Sequence, residues 1–121
     1  MRYTRLFSDE LGESHFDEVE IEFASTDYVD GAAPLQLSRP HAAVDYRFMD
    51  APAGWTSDWH SSSARNLFVV LSGEWEVIAS DGEARRFRVG NALLVEDTSG
   101  KGHSSRVTSE ESSLAVMIEL A

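Results

Sequence analysis

Residues 54–73 read GWTSDWHSSSARNLFVVLSG, and this stretch decides the fold. It begins and ends with a glycine, and its single histidine, His60, precedes the most apolar run of the chain. Residues 66–71 are rich in Phe and Val, which favours a short β-strand that is buried on both faces. Because Ser72 and Gly73 interrupt the run, the stretch predicts a core strand that starts just after His60 and ends before Gly73.

Alternation with a period of two residues continues on both sides of this stretch. Val19, Ile21 and Phe23 alternate with glutamates, which predicts a half-buried strand with an acidic outer face. Further strands are predicted over residues 43–49, 74–78, 83–89, 92–95 and 114–120, with Asp81-Gly82 as a hairpin turn. Residues 28–40 contain two prolines and Gly31 and are predicted to form a loop. Many short strands with little helix predict an all-β sandwich or barrel.

Composition narrows the classes of partner and of site. The 121 residues favour a single domain, and the absence of cysteine excludes disulfides and thiolate chemistry. A formal net charge of -11 argues against nucleic acid and against an anionic membrane surface as partners, because phosphate contacts need a basic face. No apolar leader segment is visible, and the apolar runs are too short to span a bilayer, so a cytoplasmic location is expected.

Two spacings in the chain resemble the sequence motifs of the cupins, which are small β-barrels with a jelly-roll core. The first cupin motif reads Gly, five residues, His-x-His, three or four residues, Glu, six residues, Gly. Here Gly54 is followed by five residues and His60, and six residues separate Asn66 from Gly73. Ser62 stands in place of the second histidine and Asn66 in place of the glutamate.

The second cupin motif begins with Gly, contains Pro-x-Gly-x-x-His, and has an Asn four residues later. Gly90 opens the corresponding segment, and Gly100 and His103 supply its Gly-x-x-His. Thr98 replaces the proline and Val107 the asparagine, and the segment is two residues longer near Glu96-Asp97. The DWH and EDT-x-GKGH segments also look like those of a group of short, single-domain bacterial cupins without an assigned activity.

The resemblance implies one cupin domain over residues 1–121, with a cupin-type jelly-roll β-barrel (a double-stranded β-helix). Residues 1–42 would form N-terminal strands and a loop, and residues 43–120 the conserved barrel core. It also implies a homodimer. Two alternatives stay open for the acidic strand at Val19–Phe23: it pairs with a second subunit, or its outward glutamates protect its edge from pairing.

Carried over residue by residue, the four metal ligands of the family correspond to His60, Ser62, Asn66 and His103. Only the two histidines are strong ligands, since a hydroxyl or an amide oxygen binds a transition metal weakly. A third strong ligand would have to come from Asp58, Glu96 or Asp97. Two alternatives therefore stay open: no metal or a weakly bound divalent transition metal, or a centre of two histidines and a carboxylate.

The predicted ligand pocket contains His60, Ser62, Asn66 and His103, with Trp55 at its rim and Lys101 positioned for an anionic part of a ligand. Trp75 is expected to pack inside the barrel, and Trp59 to point away from His60. The leading functional hypothesis is a small-molecule-binding barrel with a degenerate metal site. The alternatives are a metal-dependent isomerase or oxygenase and a non-catalytic sensor or interaction module.

Overall fold

The computed structural model describes residues 1–121, which form β-strands joined by turns and loops. The strands are β1 (Arg2–Ser8), β2 (Ser14–Glu20), β3 (Ala24–Thr26), β4 (Leu35–Leu37), β5 (Ala43–Ala51), β6 (Asn66–Val70), β7 (Glu74–Ala79), β8 (Ala84–Arg88), β9 (Ala92–Val95), β10 (His103–Val107) and β11 (Ser113–Leu120). None of the chain forms a helix of the length and hydropathy that a membrane crossing requires. The protein is all-β, as the sequence predicted.

Two sheets enclose the core. The larger sheet has the strand order β2-β1-β9-β6-β11-β5, and the smaller has the order β10-β7-β8. Phe68 and Val70 of β6 share one apolar cluster with Trp75 and Val77 of β7. Since alternate residues of a strand point to the same face, one face of each sheet is buried against the other. A separate hairpin of β3 and β4 lies outside both sheets.

Six of the observed strands, β5 to β9 and β11, fall on segments that the alternation predicted. Asp81-Gly82 forms the turn between β7 and β8, and Gly82 has the positive φ of 95° that favours glycine there. Residues 28–40, predicted to be loop, contain the short strand β4. Strands β1, β3 and β10 were not predicted.

The predicted strand around Val19–Phe23 is shifted toward the N-terminus, because β2 covers Ser14–Glu20. Its position is set by antiparallel pairing with β1, from Ser8 opposite Ser14 to Arg2 opposite Glu20. The regular pairing ends at the Arg2–Glu20 pair, although the apolar alternation in the sequence continues to Phe23. As the sequence suggested, β2 is an edge strand, and its exposed residues include Glu18 and Glu20.

Candidate functional site

Two segments that are distant in sequence meet at His60 and His103. The backbone N–H of each residue donates to the carbonyl oxygen of the other, at 3.0 and 2.9 Å, and the ring centroids lie 4.7 Å apart. The contact depends on Gly102, which has a φ of 72°, because a Cβ at this position would overlap the His60 carbonyl group. A glycine is therefore required where the β10 segment approaches the His60 loop.

A cavity of about 150 Å³ lies beside these two rings, between the sheets. Its polar lining residues are His60, Ser62, Asn66, His103 and Ser105. Its apolar lining residues are Met49, Trp55, Phe68, Trp75, Val77, Leu93, Val95 and Met117. An apolar cavity of about this volume can hold a benzene-sized molecule, so the space suits a ligand of roughly six to ten non-hydrogen atoms.

Both imidazoles are oriented through Nδ1. The Nδ1 of His60 lies 2.9 Å from the carbonyl oxygen of Asp58, and the Nδ1 of His103 lies 2.6 Å from Oδ2 of Asp97. A carbonyl oxygen can only accept, so Nδ1 of His60 carries the hydrogen, and the carboxylate has the same effect on His103. Each Nε2 makes no hydrogen bond within the protein and, in the neutral ring, presents a lone pair.

Ser62 and Asn66 are hydrogen-bonded to their own loop. The Ser62 hydroxyl donates to the carbonyl oxygen of Ala64, while Nδ2 of Asn66 donates to that oxygen at 3.0 Å and to Ser62 Oγ at 3.2 Å. Because the Ala64 carbonyl can only accept, the amide of Asn66 must turn its nitrogen toward the loop. The Asn66 Oδ1 atom is left as an acceptor without a partner in the protein.

Asp97 is a fully buried carboxylate behind His103. Its exposed fraction is 0%, and Oδ1 is the one buried side-chain nitrogen or oxygen atom without a hydrogen-bond partner. Such a group is costly to bury unless a partner compensates it, and His103 is the only side chain that hydrogen-bonds to it. Asp97 therefore orients the His103 ring rather than facing the cavity itself, whose lining does not include it.

The donor set does not fit a tightly held metal. No three side chains among His, Cys, Asp and Glu converge in a way that could hold a metal ion. Glu96 is instead paired with Arg65 at 2.7 Å, and the exposed Asp58 contributes its backbone carbonyl to His60 rather than its carboxylate to the cavity. The two histidines alone fall short of the three protein ligands that catalytic centres usually have.

Of the residues predicted for the pocket, His60, Ser62, Asn66, His103 and Trp55 line this cavity, and Lys101 does not. The Lys101 ammonium group is paired with Glu13 at 2.9 Å and is largely exposed. Gly102, between Lys101 and His103, turns the chain so that only the histidine enters the interior.

Two tryptophans show what alternation could and could not predict. Trp59 is 53% exposed and does not line the cavity, in agreement with the prediction that it points away from His60. Trp75 is buried in the barrel as predicted, but it also forms part of the cavity wall. Sequence reasoning missed this second role and those of Phe68 and Ser105. The inward positions of β6 and β7 were the available signal for Phe68 and Trp75.

Comparison with solved structures agrees with this architecture. A cupin domain from Bordetella pertussis superimposes with a TM-score of 0.52 and 17% identity, covering 85% of this chain and 97% of that one. The chain has the cupin fold.

Two other cupins are similar at lower scores. A cupin-2 domain protein from Shewanella frigidimarina has a TM-score of 0.48 and 16% identity, over 63% of this chain and 69% of that one. The cupin domain of Drosophila melanogaster CENP-C has a TM-score of 0.49 and 20% identity, over 83% and 75%. No protein-family model and no curated protein matches the sequence. At these identities the comparisons show the fold alone, so the chemistry of this protein must be inferred from its own residues.

Proposed function

We propose that this cupin binds a small organic molecule in the cavity beside His60 and His103, through side chains rather than through a tightly held metal. One observation carries the proposal: both imidazoles are anchored through Nδ1, which leaves two Nε2 atoms beside a partly open cavity with a mainly apolar wall. Concave, mostly apolar sites with a few oriented polar groups are typical of small-molecule binding.

A cavity-filling variant tests the proposal. Val95 lines the cavity, so Val95→Phe should occupy its space while both histidines are kept. Val89→Phe is the matched control, because Val89 is 64% exposed and lies outside the cavity. We expect some compounds of roughly six to ten non-hydrogen atoms to stabilise the native protein and Val89→Phe in a thermal-shift screen, but not Val95→Phe. At ten times Kd a ligand contributes about 1.4 kcal/mol, which raises Tm by roughly 4–6 °C.

The screen contradicts the proposal if no compound raises Tm, or if the compounds that do so act equally on Val95→Phe. The enzyme alternative has its own measurement, the metal content of freshly purified protein. Stoichiometric metal that is lost in a His60→Ala/His103→Ala double variant would replace the proposal with a metal-dependent reaction in the same cavity.

We also propose that a second copy of the chain covers the outer face of the six-stranded sheet. The strand register places two apolar rows across four neighbouring strands of this face. One row consists of Phe48, Val116, Val69 and Ala92, and the other of Tyr46, Ile118, Leu67 and Leu94. Phe48 is 70% exposed and Tyr46 is 69% exposed, whereas Leu94 is buried and the other five residues are half-buried. Exposed apolar patches of this kind mark interaction sites.

Charge identifies the partner as another copy. Charged residues make up 26% of the chain and its net charge is -11, yet none of the eight residues in the two rows is charged. Two strongly acidic copies repel each other across most of their surfaces. They can approach closely only where charge is absent or already paired. The two rows carry no charge, and the row that ends at Leu94 continues into the Arg5–Asp17 ion pair. Asp50 lies beside Phe48 on the same face, so the uncharged patch is bounded at this end.

A further inference from the structure

The polar atoms available in the cavity are mainly hydrogen-bond acceptors. They are Nε2 of His60 and of His103 in their neutral forms and Oδ1 of Asn66, none of which has a partner in the protein. The remaining hydroxyls are engaged, since Ser62 Oγ donates to Ala64 and Ser105 Oγ lies 3.3 Å from Ser57 Oγ. His60 is exposed, whereas Asn66 and His103 are largely buried, and a ligand that brings donors would complement all three acceptors.

Aromatic rings form one side of the same cavity. The ring of Trp75 lies 5.6 Å from that of Trp55, at 63°, and 5.4 Å from that of Phe68, at 86°. The indole N–H of Trp75 donates to Ser113 Oγ at 2.7 Å and is therefore not available to a ligand. The rings are therefore in edge-to-face contact with one another, and all three residues line the cavity. A cation placed over an aromatic face, such as a methylated ammonium group, is attracted by the ring.

The charges around the cavity favour a cation. No Lys or Arg side chain lines it, and the buried Asp97 carboxylate lies directly behind His103. The chain as a whole has a net charge of -11, which further raises the local concentration of cations. An anionic ligand would meet three acceptors and no formally cationic Lys or Arg side chain.

We infer that the ligand of this cavity is a small methylated ammonium ion that carries a hydroxyl group. The ammonium group packs against Trp55, Trp75 and Phe68, and the hydroxyl donates to Nε2 of His60 or His103. This inference rests on the proposed function and specifies its ligand class. Choline has this chemistry and fits the size limit of the cavity, so it is the probe of choice.

The test compares choline with its uncharged carbon isostere, in which a tert-butyl group replaces the trimethylammonium group, and with the anion pivalate. Affinities are measured by calorimetry on the full chain. We expect choline to bind about tenfold more tightly than the isostere, because the shapes match and only the charge differs. Trp55→Leu should weaken choline binding about fivefold and leave the isostere within twofold. Trp59→Leu is the control, since Trp59 is exposed and outside the cavity.

Each other outcome overturns the inference. If the isostere or pivalate binds as tightly as choline, the cavity binds small molecules but does not select cations. The proposed small-molecule binding is then kept, and the ammonium ligand class is rejected. If choline binds and Trp55→Leu and Trp59→Leu reduce its affinity equally, the aromatic wall is not the site. If none of the three probes binds, the ammonium class is wrong, and the wider screen with Val95→Phe decides separately whether the cavity binds any ligand.

Discussion

At the scale of single residues, Asp97 determines how the site presents His103. Its carboxylate accepts the Nδ1–H of the imidazole at 2.6 Å, which keeps the ring in one orientation and leaves Nε2 as the free nitrogen. The carboxylate is fully buried and its other oxygen has no partner, so the chain retains a costly group for this one contact. The position of His103 therefore depends on a residue that does not line the cavity.

Replacing Asp97 should change the tautomer of His103. In Asp97→Leu the Nδ1–H has no acceptor, so we expect the ring to shift toward the Nε2–H form and stability to fall by about 1–3 kcal/mol. Asp97→Asn is the control, because its amide oxygen can still accept from Nδ1. Nitrogen-resolved NMR of the imidazole rings reports the tautomer directly. An unchanged tautomer in Asp97→Leu would show that another group orients His103.

The sequence predicted that His60 and His103 could share a cavity, since each occupies a ligand position of a recognisable motif and strands that are distant in sequence can face each other across a barrel. It could not distinguish the roles of Asp58, Glu96 and Asp97. A carboxylate next to a histidine in sequence can ligate the same metal, orient the ring or pair with an arginine. Only the fold decides, by burying Asp97 behind His103 and pairing Glu96 with Arg65.

At the scale of elements, His15 connects the two sheets. It lies on β2, and its Nε2 and Nδ1 atoms lie 2.7 Å from Asp9 and 2.9 Å from Asp81. Asp9 belongs to the turn between β1 and β2, and Asp81 to the turn between β7 and β8. The ring also packs against Phe7, with 5.7 Å between the ring centroids. The imidazole thus joins the edge of the large sheet to the small sheet.

The charge state of this connection depends on pH. Hydrogen bonds to Asp9 and then Asp81 raise the pKa of His15 above its usual 6.5. The pKa of Asp9 is lowered chiefly by His15, and that of Asp81 by the backbone N–H of Glu83 and then by His15. Protonated His15 contributes its full stabilisation below about pH 6.5, the usual pKa of histidine in the unfolded chain. This stabilisation is lost as the pH rises through the raised pKa of His15 in the folded state. The lowered pKa values of Asp9 and Asp81 add stability above about pH 4. The contact of His15 with the two carboxylates is therefore strongest between about pH 4 and pH 6.5.

We therefore expect His15→Gln to lower Tm more at about pH 5.5 than at about pH 9. Glutamine keeps the polarity and much of the size of the side chain but cannot carry the charge. His41→Gln is the control, because His41 is exposed and makes no hydrogen bond or ion pair, and its effect should be small at both values. Thermal unfolding measured across this pH range checks the prediction. An equal loss of Tm at both pH values would mean that the charge of His15 does not contribute.

The elements differ in how far sequence could predict them. Strands β6 and β7 have buried residues at alternate positions, and the alternation predicted them. Strand β10 reads HSSRV and has little apolar pattern of its own, because pairing with β7 holds it in place. Strand β1 was missed for a similar reason, as it is fixed between β2 and a parallel partner, β9. Partners that are remote in sequence leave no local signal.

At the scale of the whole molecule, the strong acidity of the chain and the two uncharged apolar rows on its outer sheet face have to be explained together. Exposed apolar surface of this extent is a liability for an isolated chain. Because the two apolar rows carry no charge, attraction between copies comes from apolar burial and is opposed by repulsion from the rest of each molecule.

If a second copy covers this face as proposed, Phe48→Lys should weaken or abolish association, because it places a charge on the most exposed residue of the apolar rows, on the edge strand β5. Leu11→Lys is the matched control, since Leu11 is 92% exposed in the turn between β1 and β2, away from this face. Sedimentation equilibrium measures the mass against 13.4 kDa for one chain. Added salt should strengthen association of the native protein, since it screens repulsion between copies that each carry a charge of -11. A native protein that stays monomeric, or a dimer that salt dissociates, would contradict the proposed apolar interface.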